Sequence, residues 1–224
     1  MNFYLPDFQI PILPEGEATH AIKVLRKGKG DQIKVTNGLG QIALANIENS
    51  DPKKCLLSLK EIQKVDKGWK NEIWLAVAPT KQMERMEWMV EKCTEIGIDG
   101  ICFMHTTRTE RDVLKLDRLE KAAISAMKQS GQAYLPVLNW IPTWKQFPWA
   151  DFTHFWIADL STEAESKLIP KLGKNLIFIG PEGDFTQQEL EDIKKHQAVS
   201  IRLRPQVLRT ETAAIFALSM AHLA

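Results

Sequence analysis

Two short segments near the C-terminus carry the residues best suited to chemistry. Gly180-Pro181-Glu182-Gly183 follows an apolar run, and two glycines around a proline suit a tight loop whose backbone can approach a ligand closely. A second loop, Arg204 to Arg209, is followed closely by Glu211. Carboxylates can act as bases, and an arginine can stabilise negative charge or fix a phosphate. Glu182, Arg209 and Glu211 are therefore candidate catalytic residues, and the sequence alone leaves open which of them acts as the base.

The elements around these loops predict an α/β unit. Residues 176–179 are long enough for a buried strand, and residues 199–203 are typical of the next strand. The intervening helix, 187–195, has Thr186 as its N-cap, Glu189 at the capping-box position, and Phe185 and Leu190 placed as a hydrophobic staple. Both loops leave the carboxyl ends of strands, where open α/β sheets bind ligands. Taken alone, the segment 180–183 is equally typical of an ordinary turn.

A closing helix is predicted from Thr212 to Leu223. Its residues are apolar nearly all round, so it must be buried against the sheet or a second subunit.

The composition indicates a globular protein with a real core. The chain has 224 residues, 44% of them hydrophobic and 25% charged, with a formal net charge of +1. We expect a cytoplasmic protein with no membrane contact, because no apolar run approaches membrane-spanning length and the N-terminus lacks a signal-peptide plan. Cys55, Cys93 and Cys102 fit neither a disulfide framework nor a zinc site, so we expect reduced thiols and no metal.

The N-terminal third predicts a small β-rich unit, with a linker near residues 66–68. Strands are expected over 31–36, 41–47 and 55–61, with Asn37-Gly38 as a hairpin turn. A short helix is expected over 20–26. The basic side chains of Lys23, Arg26 and Lys27 are of the kind that neutralises RNA phosphates, although a solvated loop explains them equally well.

The middle of the chain predicts further alternation of strands and helices. Strands are expected over 73–78, 101–104 and 154–158, and helices over 81–97 and 119–130. A stripe of methionines on the first helix indicates core packing. Arg108 and Arg111 lie in a polar segment between these elements. The aromatic residues between 140 and 152 could stack on bases, but packing of a long connection onto the core is favoured.

Several segments together resemble a known family. They are GPEGDF and LRTETA in the two loops, KCTEIGIDGI at the end of the first helix, and T-E-R-D followed by A-M-K-Q-S-G-Q and L-P in the middle of the chain. These resemble the ribosomal RNA uridine-N3 methyltransferases of the SPOUT superfamily. The order His-x-x-x-Val-Leu-Arg, Gly-Asp and Asn-Gly near the N-terminus resembles the PUA-like domain of that family. The chain departs from the family pattern at Thr109, Ser125 and Gln132, and Gln132 removes a cation that could have faced a phosphate.

The resemblance implies an α/β SPOUT-type domain with a C-terminal trefoil knot over residues 69–224. A PUA-like β-barrel RNA-binding domain would precede it over residues 1–68. It implies S-adenosylmethionine as cofactor, 16S ribosomal RNA of the small subunit as substrate, and a homodimer formed through the closing helix. The loop Asp159-Leu160-Ser161 would form a third arm of the cofactor pocket. The residues implied to bind the cofactor are Leu160, Ile179, Gly180, Pro181, Glu182, Gly183, Leu203, Leu208, Arg209, Thr210, Thr212 and Ala213.

With this resemblance, we expect RNA contacts from Lys23, Arg26, Lys27, Arg108 and Arg111. We also expect a catalytic role for Arg209 and for Glu211 from their position beside the cofactor loops. Two other functions remain compatible with the pattern. One is a SPOUT enzyme that methylates a ribose 2′-hydroxyl, which needs no deprotonation of N3. The other is a non-catalytic RNA-binding factor of ribosome assembly, against which the intact loops argue.

Overall fold

The structure is a computed structural model that describes residues 2–111, 113–160 and 167–224. The chain divides into two compact units. One comprises Met1–Gly68 with Ile124–Leu135, and the other comprises Trp69–Ala123 with Pro136–Ala224. The predicted domain bounds of 1–68 and 69–224 stay a prediction, and the units differ from them in the placement of residues 124–135.

The first unit is built on a four-stranded sheet in the order β1-β2-β3-β4. Strand β3 pairs antiparallel with both β2 and β4, and β1 pairs parallel with β2. Ile33, Val35 and Leu57 are buried, as the alternation predicts. The strands are β1 (Phe3–Tyr4), β2 (Gln32–Thr36), β3 (Gln41–Asn49) and β4 (Leu56–Lys64).

The short N-terminal helix begins earlier than predicted. Helix α1 covers Glu15–Thr19, directly after Pro14, and continues into a π-helical turn over His20–Val24. A proline is compatible with a helix start because it has no amide hydrogen to leave unpaired. Arg26, which was expected inside this helix, has a φ of 55° and therefore lies outside it.

The second unit contains an all-parallel sheet of six strands in the order β10-β8-β9-β5-β6-β7. Strand β7 was not predicted. Strand β10 ends two residues earlier than predicted, because its partner β8 ends at Ala158, which faces Ile201. The strands are β5 (Glu72–Val77), β6 (Gly100–Met104), β7 (Val137–Ile141), β8 (His154–Ala158), β9 (Lys174–Ile179) and β10 (Val199–Ile201).

Within the described residues, four helices accompany this sheet, and α3 passes from the second unit into the first. They are α2 (Met83–Ile96), α3 (Leu116–Ser130), α4 (Gln187–Lys195) and α5 (Thr210–Leu223). The methionine stripe of α2 is core, as predicted, since Met83, Met86 and Met89 are all buried. The three cysteines are free and buried, and burial raises the pKa of Cys93 and of Cys102 to about 12.

The aromatic residues between 144 and 152 pack against the core, as expected. Phe147 is buried in the core with Phe178, and Trp144, Trp149 and Phe152 pack against the same cluster. Two short 3₁₀ turns, Trp144–Gln146 and Trp149–Asp151, place these rings. Closely spaced aromatic pairs contribute beyond their buried area, so the segment holds the long connection between β7 and β8 onto the sheet.

Helix α5 buries one face and leaves the other half-exposed. It packs against α2, β5 and β9, with Ala214, Ala217 and Leu218 completely buried. It begins at Thr210, two residues earlier than predicted. The chain thus returns from edge strand β10 to the middle of the sheet. This path is compatible with the predicted trefoil knot, but the knot itself stays a prediction.

The described residues include neither a candidate membrane span nor a candidate metal site. Within them, none of the helices is both long and apolar enough to cross a membrane, and no group of three or more His, Cys, Asp or Glu residues is placed to hold a metal ion.

Candidate active site

An open pocket lies at the carboxyl ends of β8, β9 and β10 and has a volume of about 720 Å³. This is the edge at which parallel sheets bind ligands. Of the twelve residues implied to bind the cofactor, eleven line the pocket: Leu160, Ile179, Gly180, Pro181, Glu182, Gly183, Leu203, Leu208, Arg209, Thr210 and Ala213. The two loops and the end of β8 therefore come together as expected. Ser161, the last residue of the expected third arm, lies outside the described residues.

Thr212 is the exception, because it is exposed and does not line the pocket. The helix start explains this difference. With α5 beginning at Thr210, residues 210 and 213 share one face of the helix at 3.6 residues per turn, and residue 212 points elsewhere.

Asp159, expected as part of the third arm, also lines the pocket, and further lining residues were not named individually beforehand: Arg85, Ala158, Asp184, Arg204, Gln206 and Val207. Most of them are neighbours of predicted residues in the same loops. Arg85 is different, since it comes from α2, and nothing in its local sequence indicates that it reaches the pocket.

The glycine loop, defined here as residues 180–185, is a tight turn. The amide of Asp184 donates to Pro181 O at 2.9 Å, and Thr210 Oγ1 donates to Gly180 O at 3.2 Å. Asp184 has a φ of 63°, a left-handed conformation that is uncommon for a residue other than glycine. A Cβ at Gly180 would lie 3.2 Å from the Phe185 ring, so a larger residue there would require that ring to shift.

An arginine of α2 joins two carboxylates beside the pocket. Arg85 Nη1 donates to Glu182 Oε1 at 3.1 Å, and Arg85 Nε lies 3.7 Å from Glu211 Oε1. Glu182 is largely exposed, whereas Glu211 is 6% exposed and does not line the pocket. Glu211 Oε2 is buried without a hydrogen-bond partner in the described part of the chain. Of the two expected catalytic residues, Arg209 therefore faces the pocket and Glu211 lies behind its wall.

The two arginines that follow β6 hold backbone carbonyls of their own unit. Arg108 Nη1 donates to Gly183 O at 2.6 Å and to Phe185 O at 3.4 Å. Arg111 Nε donates to Thr80 O at 3.1 Å, and its Nη2 donates to Lys81 O. These guanidinium donors bind backbone carbonyl oxygens of the same unit, whereas we expected both arginines to contact RNA.

Glu189 connects the glycine loop to the segment after β6. Its Oε2 accepts from the amide and hydroxyl of Thr186, as the predicted capping box requires, and its Oε1 accepts from the amide of Thr107 at 2.8 Å. Burial alone would raise the pKa of this carboxyl, but the hydrogen bonds from Thr107 and Thr186 outweigh it and hold the pKa below its usual value. The carboxylate is thus ionised and structural.

The basic residues of the first unit are available to solvent. Lys23 and Arg26 are exposed and Lys27 is partly exposed. Lys23 lies in the π-helical turn, and Arg26, which has a left-handed backbone, and Lys27 follow it, so the N-terminal unit presents three cations close together in sequence.

Comparison with known proteins gives consistent matches over nearly the whole chain. A family model described as an RNA methyltransferase domain matches residues 67–222, and one described as an RNA methyltransferase PUA domain matches residues 13–60. Ribosomal RNA small subunit methyltransferase E of Rickettsia conorii is 30% identical over 212 residues, which cover 91% of this chain and 86% of that protein.

Solved structures agree in fold. A probable rRNA-methyltransferase from Porphyromonas gingivalis is 39% identical with a TM-score of 0.85, and the match covers 97% of this chain and 94% of that one. A protein from Legionella pneumophila, solved in complex with the bound cofactor S-adenosylmethionine, is 28% identical with a TM-score of 0.84. That match covers 97% of this chain and 95% of the other.

Proposed function

The chain belongs to the RNA methyltransferase family, and we propose that it transfers a methyl group from S-adenosylmethionine to N3 of a uridine in 16S ribosomal RNA of the small subunit. The α/β fold with an N-terminal PUA-like domain is that of its relatives. The observation that carries the proposal is the pocket at the ends of β8, β9 and β10, formed by the two loops whose sequences resemble the uridine-N3 enzymes.

The pocket suits a nucleoside cofactor. Its volume of about 720 Å³ lies within the range of small-molecule sites. Leu160, Leu203 and Leu208 offer apolar surface for a flat ring system, and the glycine loop offers backbone donors and acceptors. A relative binds S-adenosylmethionine, and we propose that these residues hold the same cofactor here.

The cofactor supplies an electrophilic methyl group for an in-line displacement, so the protein must chiefly orient donor and acceptor. A uridine N3–H is a weak acid and a poor nucleophile until it is deprotonated, which calls for a base and for stabilisation of the anion. We propose that Arg209, which lines the pocket, stabilises that negative charge.

Glu211 is the proposed proton acceptor. Its Oε1 lies beside Arg85, while the unpartnered Oε2 retains the capacity to accept a proton or a hydrogen bond. Because the Glu211 carboxylate lies behind the pocket wall, this role requires the uracil ring of the substrate or a bridging water to reach it. Arg209 is accordingly the more direct test of catalysis.

RNA binding is assigned to the first unit. Lys23, Arg26 and Lys27 present exposed or partly exposed cations there, and neutralising phosphates is the main source of affinity for nucleic acid. A family model for an RNA methyltransferase PUA domain covers the same residues.

We also propose a homodimer, formed through the half-exposed face of α5. Ile215, Phe216 and Met220 are partly exposed on this otherwise apolar helix. We place the protein in the cytoplasm, where ribosomal RNA is found and where its three free cysteines stay reduced.

The decisive test is nucleoside analysis of ribosomal RNA. Mass spectrometry of small-subunit RNA from a deletion strain should show the loss of one N3-methyluridine, and purified protein with S-adenosylmethionine should restore it in isolated subunits. Loss of a 2′-O-methylated nucleoside instead would assign ribose chemistry, and no loss at all would favour a non-catalytic RNA-binding factor.

A further inference from the structure

We propose that Arg108 is a positioning residue of the cofactor pocket, which holds the glycine loop in the conformation that binds S-adenosylmethionine. The inference rests on the proposed function. It gives this arginine a role different from the RNA contact that the family resemblance implies.

The contacts of Arg108 are directed at the loop. Its Nη1 donates to Gly183 O at 2.6 Å and lies 3.4 Å from Phe185 O. Gly183 and Asp184 line the pocket, whereas Arg108 is not among the lining residues. The arginine therefore holds the loop from outside the pocket, through hydrogen bonds that its positive charge strengthens.

The loop contains a residue in an uncommon conformation, which a contact from outside the loop can stabilise. Asp184 has a φ of 63°, a left-handed conformation that is uncommon outside glycine, although aspartate tolerates it better than most residues. The bonds within the loop are local: Asp184 N donates to Pro181 O, and Phe185 N donates to Asp184 Oδ1. Arg108 adds a tertiary contact to the carbonyls on both sides of Asp184.

Gly183 permits this contact. A Cβ built at Gly183 would lie 3.4 Å from Arg108 Cδ and 3.6 Å from Arg108 Cβ. The backbone of Gly183 is not in the left-handed region, since its φ is not positive. A lone Cβ would therefore make ordinary van der Waals contact with Arg108, whereas a larger, branched side chain at this position would crowd the arginine.

The segment that carries Arg108 is itself anchored. The amide of the preceding residue, Thr107, donates to Glu189 Oε1 at 2.8 Å, and Glu189 is 3% exposed. The hydroxyls of Thr106 and Thr109 are hydrogen-bonded to each other at 2.8 Å. Because the segment is fixed, it fixes the orientation of the Arg108 guanidinium. A group outside the pocket can in this way determine the conformation of the glycine loop that lines it.

The test compares Arg108→Ala and Arg108→Lys with Lys115→Ala. Lys115 is an exposed cation farther along the same segment. Calorimetric titration with S-adenosylmethionine should show a Kd raised about 10-fold in Arg108→Ala, the effect of losing one strong charge-assisted hydrogen bond. Arg108→Lys should also bind more weakly than wild type, because an ammonium does not reproduce the arginine fork, and Lys115→Ala should bind as wild type does.

Two further measurements separate positioning from RNA contact. Single-turnover methylation by Arg108→Ala should return to the wild-type rate at saturating S-adenosylmethionine, because only cofactor binding is impaired. The salt dependence of binding to small subunits that lack the modification should be unchanged in Arg108→Ala, whereas loss of a phosphate contact would reduce the slope of log K against log salt by about 0.9.

Unchanged cofactor affinity in the folded Arg108 variants would overturn the inference, and a reduced salt slope beside it would assign the residue to RNA. Thermal unfolding checks that each variant is folded, and Arg108→Lys carries the test if the alanine variant is not. The proposed function is tested separately. If the wild-type protein binds the cofactor and methylates N3 while the Arg108 variants bind the cofactor equally well, the proposed function stands and only this inference is wrong.

Discussion

Arg85 Nε lies 3.7 Å from Oε1 of Glu211, so the buried carboxylate at the start of α5 is paired with α2. Arg209, two residues before Glu211, is not its ion-pair partner in the described part of the chain. Arg85 also reaches Glu182 in the glycine loop. One arginine of α2 thus connects the glycine loop with the start of α5.

Removing Arg85 should destabilise the protein. Glu211 is 6% exposed, and a buried carboxylate without its cation is costly. Because the Arg85 side chain is itself 26% exposed, we expect Arg85→Ala to lower the free energy of unfolding by about 1–3 kcal/mol. Urea denaturation should show a smaller loss when Glu211→Gln is the background. Equal losses in the two backgrounds would mean that the pair contributes nothing to stability.

Arg209→Ala should separate catalysis from cofactor binding. If Arg209 stabilises the developing uridine anion, single-turnover methylation of small subunits should slow by about 10²–10³-fold, as for the loss of one preorganised donor. Cofactor affinity should change little, because adenine recognition would rest on backbone groups.

Arg204→Ala is the matched control for Arg209, since it removes the same charge from the same pocket. We expect the rate of this control to fall by less than about 10-fold, as a general electrostatic effect gives no specific donor. Wild-type rates in Arg209→Ala would eliminate Arg209 as a catalytic residue, and a matching loss of cofactor binding would indicate a structural role.

Local signals in the sequence placed most elements of the second unit. The helix Gln187–Lys195 was predicted with its observed bounds, because Thr186 and Glu189 form a capping box that fixes where it starts. The strand His154–Ala158 was also predicted as observed. Strand Val137–Ile141 was missed, because its sequence Val-Leu-Asn-Trp-Ile does not alternate apolar with polar residues.

A ligand site at this place was expected because both loops leave the carboxyl ends of strands. The individual lining residues were expected only from the family resemblance. Contacts between distant side chains were not predictable. Arg85 lies 97 residues from Glu182, and Arg108 lies 75 residues from Gly183, so no spacing in the sequence indicates either pair.

Glu189→Gln should destabilise the protein in a pH-dependent way. The amide group of glutamine would place a donor against the donors of Thr107 and Thr186, and we expect a loss of about 1–3 kcal/mol at pH 7. Hydrogen bonds hold the pKa of Glu189 below its usual value. The contribution of the carboxylate is therefore present above the unfolded pKa of about 4.3 and is lost as the pH falls through the lower folded pKa.

Urea denaturation at pH 7 and at pH 3 measures this difference. The gap between wild type and Glu189→Gln should narrow at the lower pH. A gap that is constant over this range would mean that the charge of Glu189 does not contribute. Lys194→Gln, which also removes one charge from α4 but at an exposed residue, should have little effect at either pH.

Gly183→Val should weaken cofactor binding without unfolding the protein. The branched side chain would crowd Arg108, whose Cδ would lie 3.4 Å from the first added carbon. We expect the Kd for S-adenosylmethionine to rise about 10-fold, as for the loss of the Arg108 hydrogen bond. Gly183→Ala is the control, because a lone Cβ makes only ordinary van der Waals contact there. Unchanged affinity in folded Gly183→Val would show that the loop tolerates displacement of Arg108.

Phe216→Glu should convert the proposed dimer to a monomer. Phe216, Ile215 and Met220 form the half-exposed apolar face of α5, and burying this face in a partner would remove apolar surface from water. Light scattering of wild-type protein at micromolar concentration should give about twice the 25.5 kDa of one chain.

A charge at the centre of that interface would have to be desolvated without a partner, so the Phe216→Glu variant should give the mass of a single chain. Leu172→Glu is the matched control, since it places the same charge on a residue that is 88% exposed and lies outside α5, and it should leave the mass unchanged. A wild-type mass near 25.5 kDa would contradict the dimer outright. A dimer that survives Phe216→Glu would place the interface on another surface.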